Sequence, residues 1–146
     1  MTEDDGQGEG ERTIGRSDAD QRRGFKDLVA WQKAMELVSV VYRLTSEWPR
    51  EELYGLTSQV RRAAVSVPSN LAEGHGRTGP REYAHHVSVA YGSLCELETQ
   101  VLIAEQLGYS DGDTTESLTT KILEVRRLIG GLLRSLRART SAEASR

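Results

Sequence analysis

Few side chains in this sequence could do chemistry, and the pair with the most suggestive spacing is Glu82 and His85. They have the Glu-x-x-His arrangement that holds iron or manganese in di-metal helix bundles. Such a centre needs two copies of the motif and a glutamate from each of two further helices, and the sequence holds one copy. Residues of a helix advance by about 100° each, so His85 also falls opposite the apolar stripe of Tyr83 and Val87. The pattern favours a solvent-exposed or interface histidine over a metal ligand.

The other candidates for catalysis or ligand binding are isolated. His75 and His86 have no third ligand at a spacing known for zinc sites. Residues 74–79 read GHGRTG before a helix, but they lack the preceding strand and the Gly-Lys-Ser/Thr ending of a phosphate-binding loop. Cys95 lies inside an apolar helical pattern, which favours a packed thiol over a nucleophile. The sequence therefore predicts no catalytic residue, no cofactor and no metal, and the chain is predicted not to be an enzyme.

Arginines form the group of side chains with the clearest possible ligand. Arg61 and Arg62 are adjacent, and residues 122–139 carry five arginines against one acidic residue. A guanidinium pairs with phosphate oxygens, so these clusters are candidates for binding nucleic acid. A solvated helix face with cations near a helix C-terminus is the alternative interpretation. The candidate residues are Arg61, Arg62, Arg126, Arg127 and Arg134.

Composition limits the class of protein. The chain has 146 residues, enough for one domain, with 28% charged and 5% aromatic side chains, as is typical of helical proteins. Its N-terminus, MTEDDGQGEGER, is acidic rather than signal-like, and no apolar run approaches the ~20 residues of a membrane span. A single cysteine excludes an internal disulfide. We expect a cytoplasmic protein without a membrane partner.

The charge is unevenly distributed. The net charge is −3, and residues 1–24 alone hold seven acidic residues and four arginines. That stretch has too few apolar side chains to offset its chain entropy, and the same holds for residues 139–146. The sequence predicts an acidic, glycine-rich disordered tail over residues 1–24, a folded domain over residues 25–138, and a second disordered tail over residues 139–146.

Four stretches of the folded domain have apolar residues at the spacing of three and four that is typical of amphipathic helices. Short connections between them predict an all-α, up-down-up-down four-helix bundle. Pro68 lies inside the second stretch without interrupting its stripe, so it is predicted to kink one helix rather than to separate two. The predicted helices span residues 28–46, 52–73, 80–107 and 114–136.

Details of the helix ends follow from particular residues. Gly74 is predicted to stop the second helix. Asp113 followed by Glu116 resembles a capping box at the start of the fourth helix. Gly130 and Gly131 each cost that helix about 1 kcal/mol relative to alanine, which predicts a close helix approach there.

Apolar side chains outside the expected core predict self-association. The first helix is apolar on two faces, with its main stripe through Met35 and Tyr42 and a second face that includes Leu37 and Val41. The outer face of the third helix is partly apolar and small. A widened core stripe with scattered exposed apolar groups is the alternative. The predicted interface residues are Leu37, Val41, Val89, Gly92 and Ile103.

Three stretches, FKDLVAWQKAMEL, YGLTSQVRRAAVSVPSNLAEGHGR and GSLCELETQVLIAEQLGY, resemble the four-helix bundle proteins related to the 23S ribosomal RNA intervening-sequence protein. The accessory variability determinant of diversity-generating retroelements is similar to this group. The resemblance covers about residues 25–136 and is most specific at residues 31–34, 59–62, 70–74 and 92–93. It implies a helical bundle without catalytic activity and a structural turn made by Asn70, Glu73 and Gly74.

The same resemblance implies a homo-pentamer and, for the retroelement relatives, basic surfaces that meet RNA and a reverse transcriptase. The expected function is a non-enzymatic oligomeric adaptor that binds structured RNA or a nucleic-acid enzyme such as a reverse transcriptase. A purely structural or protein-interaction oligomer with no nucleic-acid role is the alternative.

Overall fold

A computed structural model describes residues 24–77 and 79–145 of the chain. This part contains four α-helices and no strand, so the predicted all-α class is confirmed. The tail predicted over residues 1–24 lies outside the described residues except for Gly24. Single 3-10 turns precede the first and second helices, at Phe25–Asp27 and Arg50–Glu52. The helices are α1 (Val29–Thr45), α2 (Leu56–His75), α3 (Pro80–Gln106) and α4 (Gly112–Ala144).

The four helices form a closed bundle. Each helix contacts the next along the chain, and α1 also contacts α4, so that the bundle has four seams. Short connections make neighbouring helices antiparallel, and the predicted up-down-up-down architecture is confirmed. Aliphatic side chains from all four helices fill the interior. The largest of those fully buried are Leu37, Leu71, Leu94, Leu97, Leu118, Ile122, Ile129 and Leu136.

The face of α1 that points inward is the one expected to point outward. Leu37 and Val41 are 2% and 0% exposed in the core, whereas Met35 and Tyr42 are exposed. The assignment of Leu37 and Val41 to an oligomer interface is therefore wrong, because neither is accessible to a second copy. Both faces of α1 are apolar, and the buried face is the one that carries the small residues Ala30 and Ala34. Small side chains allow α1 to approach its neighbours closely.

The second helix begins four residues later than predicted. Glu52, predicted to be its first residue, lies before the helix and accepts a hydrogen bond from its first turn. The Leu56 amide donates to Glu52 Oε2 (2.9 Å), and the Tyr109 hydroxyl donates to Glu52 Oε1 (3.2 Å). Removal from solvent and the bond to Glu52 raise the pKa of Tyr109. Leu53, which falls inside the predicted helix, precedes the observed one and is exposed.

Two predictions about the end of α2 have opposite outcomes. The helix continues through Pro68, as predicted. Gly74, however, is not the helix stop: it is buried and helical, and α2 ends at His75. A Cβ at position 74 would lie 2.7 Å from His86 Cβ and 2.9 Å from Tyr83 Cδ2 of α3. Glycine is required here because two helices meet, not because the backbone turns left-handed.

The start of α4 is capped two residues earlier than predicted. The Asp111 side chain accepts from the Thr114 amide at 2.7 Å, which satisfies a free donor of the first turn. This bond lowers the pKa of Asp111. Asp113 lies inside the first turn, so the proposed capping box of Asp113 and Glu116 is wrong.

The second half of α4 differs from expectation in two ways. Only the Arg134 side chain comes within 4 Å of a Cβ placed at Gly130 or Gly131, so no helix approaches closely there. The helix also continues to Ala144, eight residues beyond the end predicted at residue 136. Alanine, arginine and glutamate favour helix in this stretch. Thr140 is accommodated in this helix because its hydroxyl donates to the Leu136 carbonyl oxygen (3.0 Å).

Candidate functional site: an arginine-lined groove between α3 and α4

A groove of about 520 Å³ runs along the seam between α3 and α4 and is open to solvent. Four of its lining side chains are arginines, all from α4, and the remainder are small, apolar or aromatic. We call it the arginine groove. Its lining residues are Ser88 and Tyr91 of α3 and Arg126, Arg127, Gly130, Leu133, Arg134 and Arg137 of α4.

Helical spacing explains why these residues share one groove. On α4 the lining positions recur at steps of three and four, which places them on one face of the helix. On α3, Ser88 and Tyr91 are likewise three residues apart. Gly130 has no side chain to fill the space between the two helices, and the guanidinium of Arg134 lies over it, with Nη1 3.5 Å from the position of a Cβ.

One of the four arginines is held by the protein itself. Arg126 Nη1 donates to Glu98 Oε2 of α3 at 2.9 Å, and both side chains are about one-third exposed. Within the described residues, Arg127, Arg134 and Arg137 form no salt bridge. Three guanidinium groups of the groove are therefore available to an anion, beside the ring of Tyr91, which is 36% exposed.

Arg61 and Arg62 do not join this group. Arg61 Nε donates to Thr45 Oγ1 at 2.9 Å, and its guanidinium lies 4.6 Å from the centre of the Tyr42 ring. Both partners belong to α1, so Arg61 ties α1 to α2. The α1–α2 seam lies across the bundle from the α3–α4 seam, so the predicted arginines are split between opposite sides.

Of the three predicted structural-turn residues, Asn70 takes part in a polar link between α2 and α3. Asn70 Nδ2 donates to the Ser66 carbonyl oxygen (2.8 Å) and to Ser66 Oγ (3.0 Å). Asn70 Oδ1 lies 3.3 Å from His86 Nδ1, and Ser66 Oγ lies 2.9 Å from Ser93 Oγ. Glu73 pairs with Arg77 one turn further on. This link stabilises the packing of two helices rather than a ligand site.

Three of the five predicted interface residues are exposed. Val89 and Ile103 are each 39% exposed, and Gly92 has open space around the position of a Cβ. All three lie on α3. Together with the burial of Leu37 and Val41, this leaves α3 rather than α1 as the predicted contact face.

The remaining candidates for chemistry stay separate from one another. His85 is exposed, and its ring centre lies 5.7 Å from that of His86. No group of three or more histidine, cysteine or acidic side chains within the described ranges could hold a metal ion. Cys95 is exposed, so the prediction of a packed thiol is wrong. Its neighbours Leu94 and Leu97 carry the buried stripe instead.

Sequence reasoning missed Ser88 and Tyr91, because no pattern along one helix shows which residues face a neighbouring helix. The available signal was the position of Tyr91 off the apolar stripe of α3.

None of the helices in the described ranges is both long and apolar enough to cross a membrane.

Comparison with known proteins identifies the family. The family described as "23S rRNA-intervening sequence protein" matches residues 26–131, which include all of α1, α2 and α3 and most of α4. The chain belongs to the 23S rRNA-intervening sequence protein family. No curated protein matches it.

A protein whose crystal structure has been solved has the same fold. It is a protein of unknown function from the S23 ribosomal protein family of Bacteroides thetaiotaomicron, with a crystal structure at 1.70 Å resolution. The two are 16% identical, with a TM-score of 0.65, over 72% of this chain and 98% of that one. Neither the Bacteroides thetaiotaomicron protein nor the 23S rRNA-intervening sequence protein family is described as an enzyme.

Proposed function

We propose that this protein is a non-enzymatic, homo-oligomeric helical bundle that binds structured RNA through the arginine groove. The observation that carries the proposal is the convergence of four arginines on one groove. In a chain of net charge −3, such a cluster is a local feature and not a consequence of composition. A cytoplasmic location is part of the proposal.

The chemistry of the groove fits a phosphate backbone. A guanidinium is planar and binds two phosphate oxygens at once, so three free guanidiniums can contact successive phosphates. The exposed ring of Tyr91 adds a surface on which an unpaired base can stack. Contacts of this kind read the backbone and the shape of RNA rather than its sequence.

Assembly would strengthen this weak site. A pentamer, the number implied by the family resemblance, would repeat the groove once per subunit, so that one RNA could contact several grooves. The exposed face of α3 around Val89, Gly92 and Ile103 supports a subunit contact there.

A second candidate function is a protein-interaction oligomer with no nucleic-acid role. It is favoured by apolar side chains that remain exposed along α3, including Leu102 (45%). The partner in that case would be another protein, such as a nucleic-acid enzyme.

Salt-dependent binding to RNA separates the two functions. Binding of a fluorescently labelled RNA hairpin is measured by anisotropy over a series of salt concentrations. We compare the wild type with the triple variant Arg127→Gln, Arg134→Gln, Arg137→Gln. Log K falls as log salt rises, and the loss of three phosphate contacts should make this negative slope shallower by about 2 to 3.

The matched control removes three exposed arginines away from the groove, in the variant Arg43→Gln, Arg50→Gln, Arg62→Gln. It changes the net charge by the same amount and should keep most of the affinity. An equal loss of RNA affinity in both variants would mean that net charge, rather than the groove, is responsible for binding. No binding by the wild type at low salt would reject the RNA function and leave the protein-interaction oligomer.

Light scattering tests assembly, with 16.2 kDa as the mass of one chain. Because nothing surrounds Gly92, Gly92→Arg should leave the subunit fold and its helical circular dichroism intact while it dissociates the oligomer. A monomeric wild type would reject assembly. An oligomer that survives the substitution would place the contact on another face.

A further inference from the structure

We propose that the acidic segment of residues 1–11 binds in the arginine groove of its own chain and competes there with the anionic ligand. The inference rests on the proposed function for the identity of that ligand, but not for the intramolecular contact itself.

Charge complementarity is the first argument. Residues 1–11 hold five acidic side chains and no basic one, and the segment carries no large aliphatic side chain after Met1. Its acidic residues are Glu3, Asp4, Asp5, Glu9 and Glu11. The arginine groove offers three guanidiniums without an ion pair within the described residues. Carboxylates bind guanidiniums in the same two-pronged geometry as phosphates do.

One arginine of the groove already pairs with a carboxylate of the protein. Arg126, the fourth arginine, is bound to Glu98 Oε2 at 2.9 Å. The same donor type on Arg127, Arg134 and Arg137 is therefore suited to acidic side chains supplied from elsewhere in the chain.

Position along the bundle is the second argument. Lys33 of α1 pairs with Glu124 of α4 at 3.6 Å, which sets these two residues at one level of the bundle. Because α1 and α4 are antiparallel, α4 runs on from Glu124 towards the end of the bundle at which α1 begins. Arg126 to Arg137 occupy that part of α4, so the groove and Phe25 lie towards the same end.

Reach is the third argument. Phe25 is fixed against Trp31, with the ring centres 5.3 Å apart and edge to face. The 14 residues from Phe25 back to Glu11 can span at most about 50 Å. Packed helices lie about 8 to 10 Å apart, and the α3–α4 seam is one helix beyond α1. The acidic segment is therefore close enough to meet the groove without any rearrangement of the bundle.

The acidic segment should bind the groove only weakly, because RNA must be able to displace it. A tethered segment has an effective concentration of about 1 mM. If the free segment bound the groove with a Kd of about 0.1 mM, tethering would lower the apparent affinity for RNA about tenfold.

The first experiment measures RNA hairpin binding at low salt by the full-length chain. The tail variant carries Glu3→Gln, Asp4→Asn, Asp5→Asn, Glu9→Gln and Glu11→Gln. We expect its affinity to rise about tenfold, and the gain to shrink as salt rises, since salt weakens the internal competitor as well.

The matched control removes the same five charges from exposed acids at the opposite end of the bundle. It should gain less than about a third of that effect, because distant charges are screened beyond about 10 Å. Equal gains in the two variants, or no gain in the tail variant, would overturn the proposal. The control substitutions are Glu47→Gln, Glu51→Gln, Glu105→Gln, Asp113→Asn and Glu116→Gln.

A second experiment needs no RNA. A nitroxide is placed on Gln7→Cys in a Cys95→Ser background, which keeps every acidic residue of the segment. We expect broadened amide signals at Tyr91, Gly130 and Leu133, and loss of that broadening in the Arg127→Gln, Arg134→Gln, Arg137→Gln variant. Unbroadened groove signals would overturn the proposal.

Two results distinguish the proposals from each other. Broadened groove signals without any RNA binding would support the internal contact and reject the RNA function. Broadening that occurs only between a spin-labelled chain and a separate isotope-labelled chain would overturn binding within one chain.

Discussion

Helix α3 packs against α2 on one side and α4 on the other, and these two seams are built from different side chains. The α2–α3 seam is closed by small and polar residues: Gly74 leaves no room for a Cβ, and Ser66 contacts Ser93 through their hydroxyls. The α3–α4 seam contains long arginines instead, and it opens into a groove of about 520 Å³.

The difference shows how one helix can serve both structure and binding. Polar groups of the α2–α3 seam bond to each other, so they have little capacity for a ligand. In the α3–α4 seam, Glu98 neutralises Arg126, whereas three like-charged neighbours have no acidic partner in the described part of the chain. An excess of one charge at a groove is what an oppositely charged ligand can use.

The largest effect should come from filling the closed seam. We expect Gly74→Val to lower the free energy of unfolding by about 3 kcal/mol, because the new side chain overlaps His86 and Tyr83. Urea denaturation measures the change. Gly92→Ala is the control, since nothing lies within 4 Å of a Cβ there. A Gly74→Val variant as stable as the wild type would show that the seam can open.

A smaller loss should follow from cutting the polar link across the same seam. Asn70→Ala removes the bonds to Ser66 and leaves His86 without its contact, at a cost of about 1 to 2 kcal/mol. Thermal denaturation measures it, with exposed Ser69→Ala as the neighbouring control, expected within about 0.5 kcal/mol of the wild type. Equal effects of the two substitutions would mean that the link contributes nothing to stability.

On α4, by contrast, a side chain added at a glycine should stabilise the protein. Gly131→Ala meets only the Arg134 side chain, at 3.8 Å, and replaces a poor helix former. We expect a gain of about 1 kcal/mol in urea denaturation. Gly74→Ala, measured alongside, should be destabilising. A loss of stability at Gly131 would reveal a close helix contact at that position after all.

The smallest effect should come from the ion pair of the open seam. Glu98→Gln should cost less than about 1 kcal/mol, because the pair with Arg126 is about one-third exposed and screened by salt. The cost should decrease as salt is added. Glu105→Gln, an exposed acid outside any salt bridge of the described residues, is the control. A cost that does not change with salt would indicate a desolvated pair.

Several features of the fold were predictable because they depend on residues close in sequence. The apolar spacing placed α1 within one residue at each end, and Pro80 marked the first turn of α3. The passage of α2 through Pro68 followed from a stripe that continues on both sides of it. The cap of α4 was misplaced, because Asp111 and Asp113 have the same chemistry and only the backbone of Asp111 is extended.

The candidate site was predictable only in part. Arg126, Arg127 and Arg134 are near one another along α4, so their shared face follows from helical periodicity. Arg61 has the same charge, yet it bonds to Thr45 and lies over Tyr42. Nothing local to Arg61 distinguishes an arginine that stabilises a seam from one that faces a groove.

By itself, the sequence determined the helices, their antiparallel order and the clusters of charge, because periodicity, short connections and composition are local properties. Only the tertiary structure decided which of two apolar faces of α1 is buried, that Gly74 serves packing, and that Tyr91 joins the arginines. Those outcomes depend on the volume and shape of side chains from helices distant in sequence. Many arrangements share the same pattern of apolar residues, and close packing selects one of them.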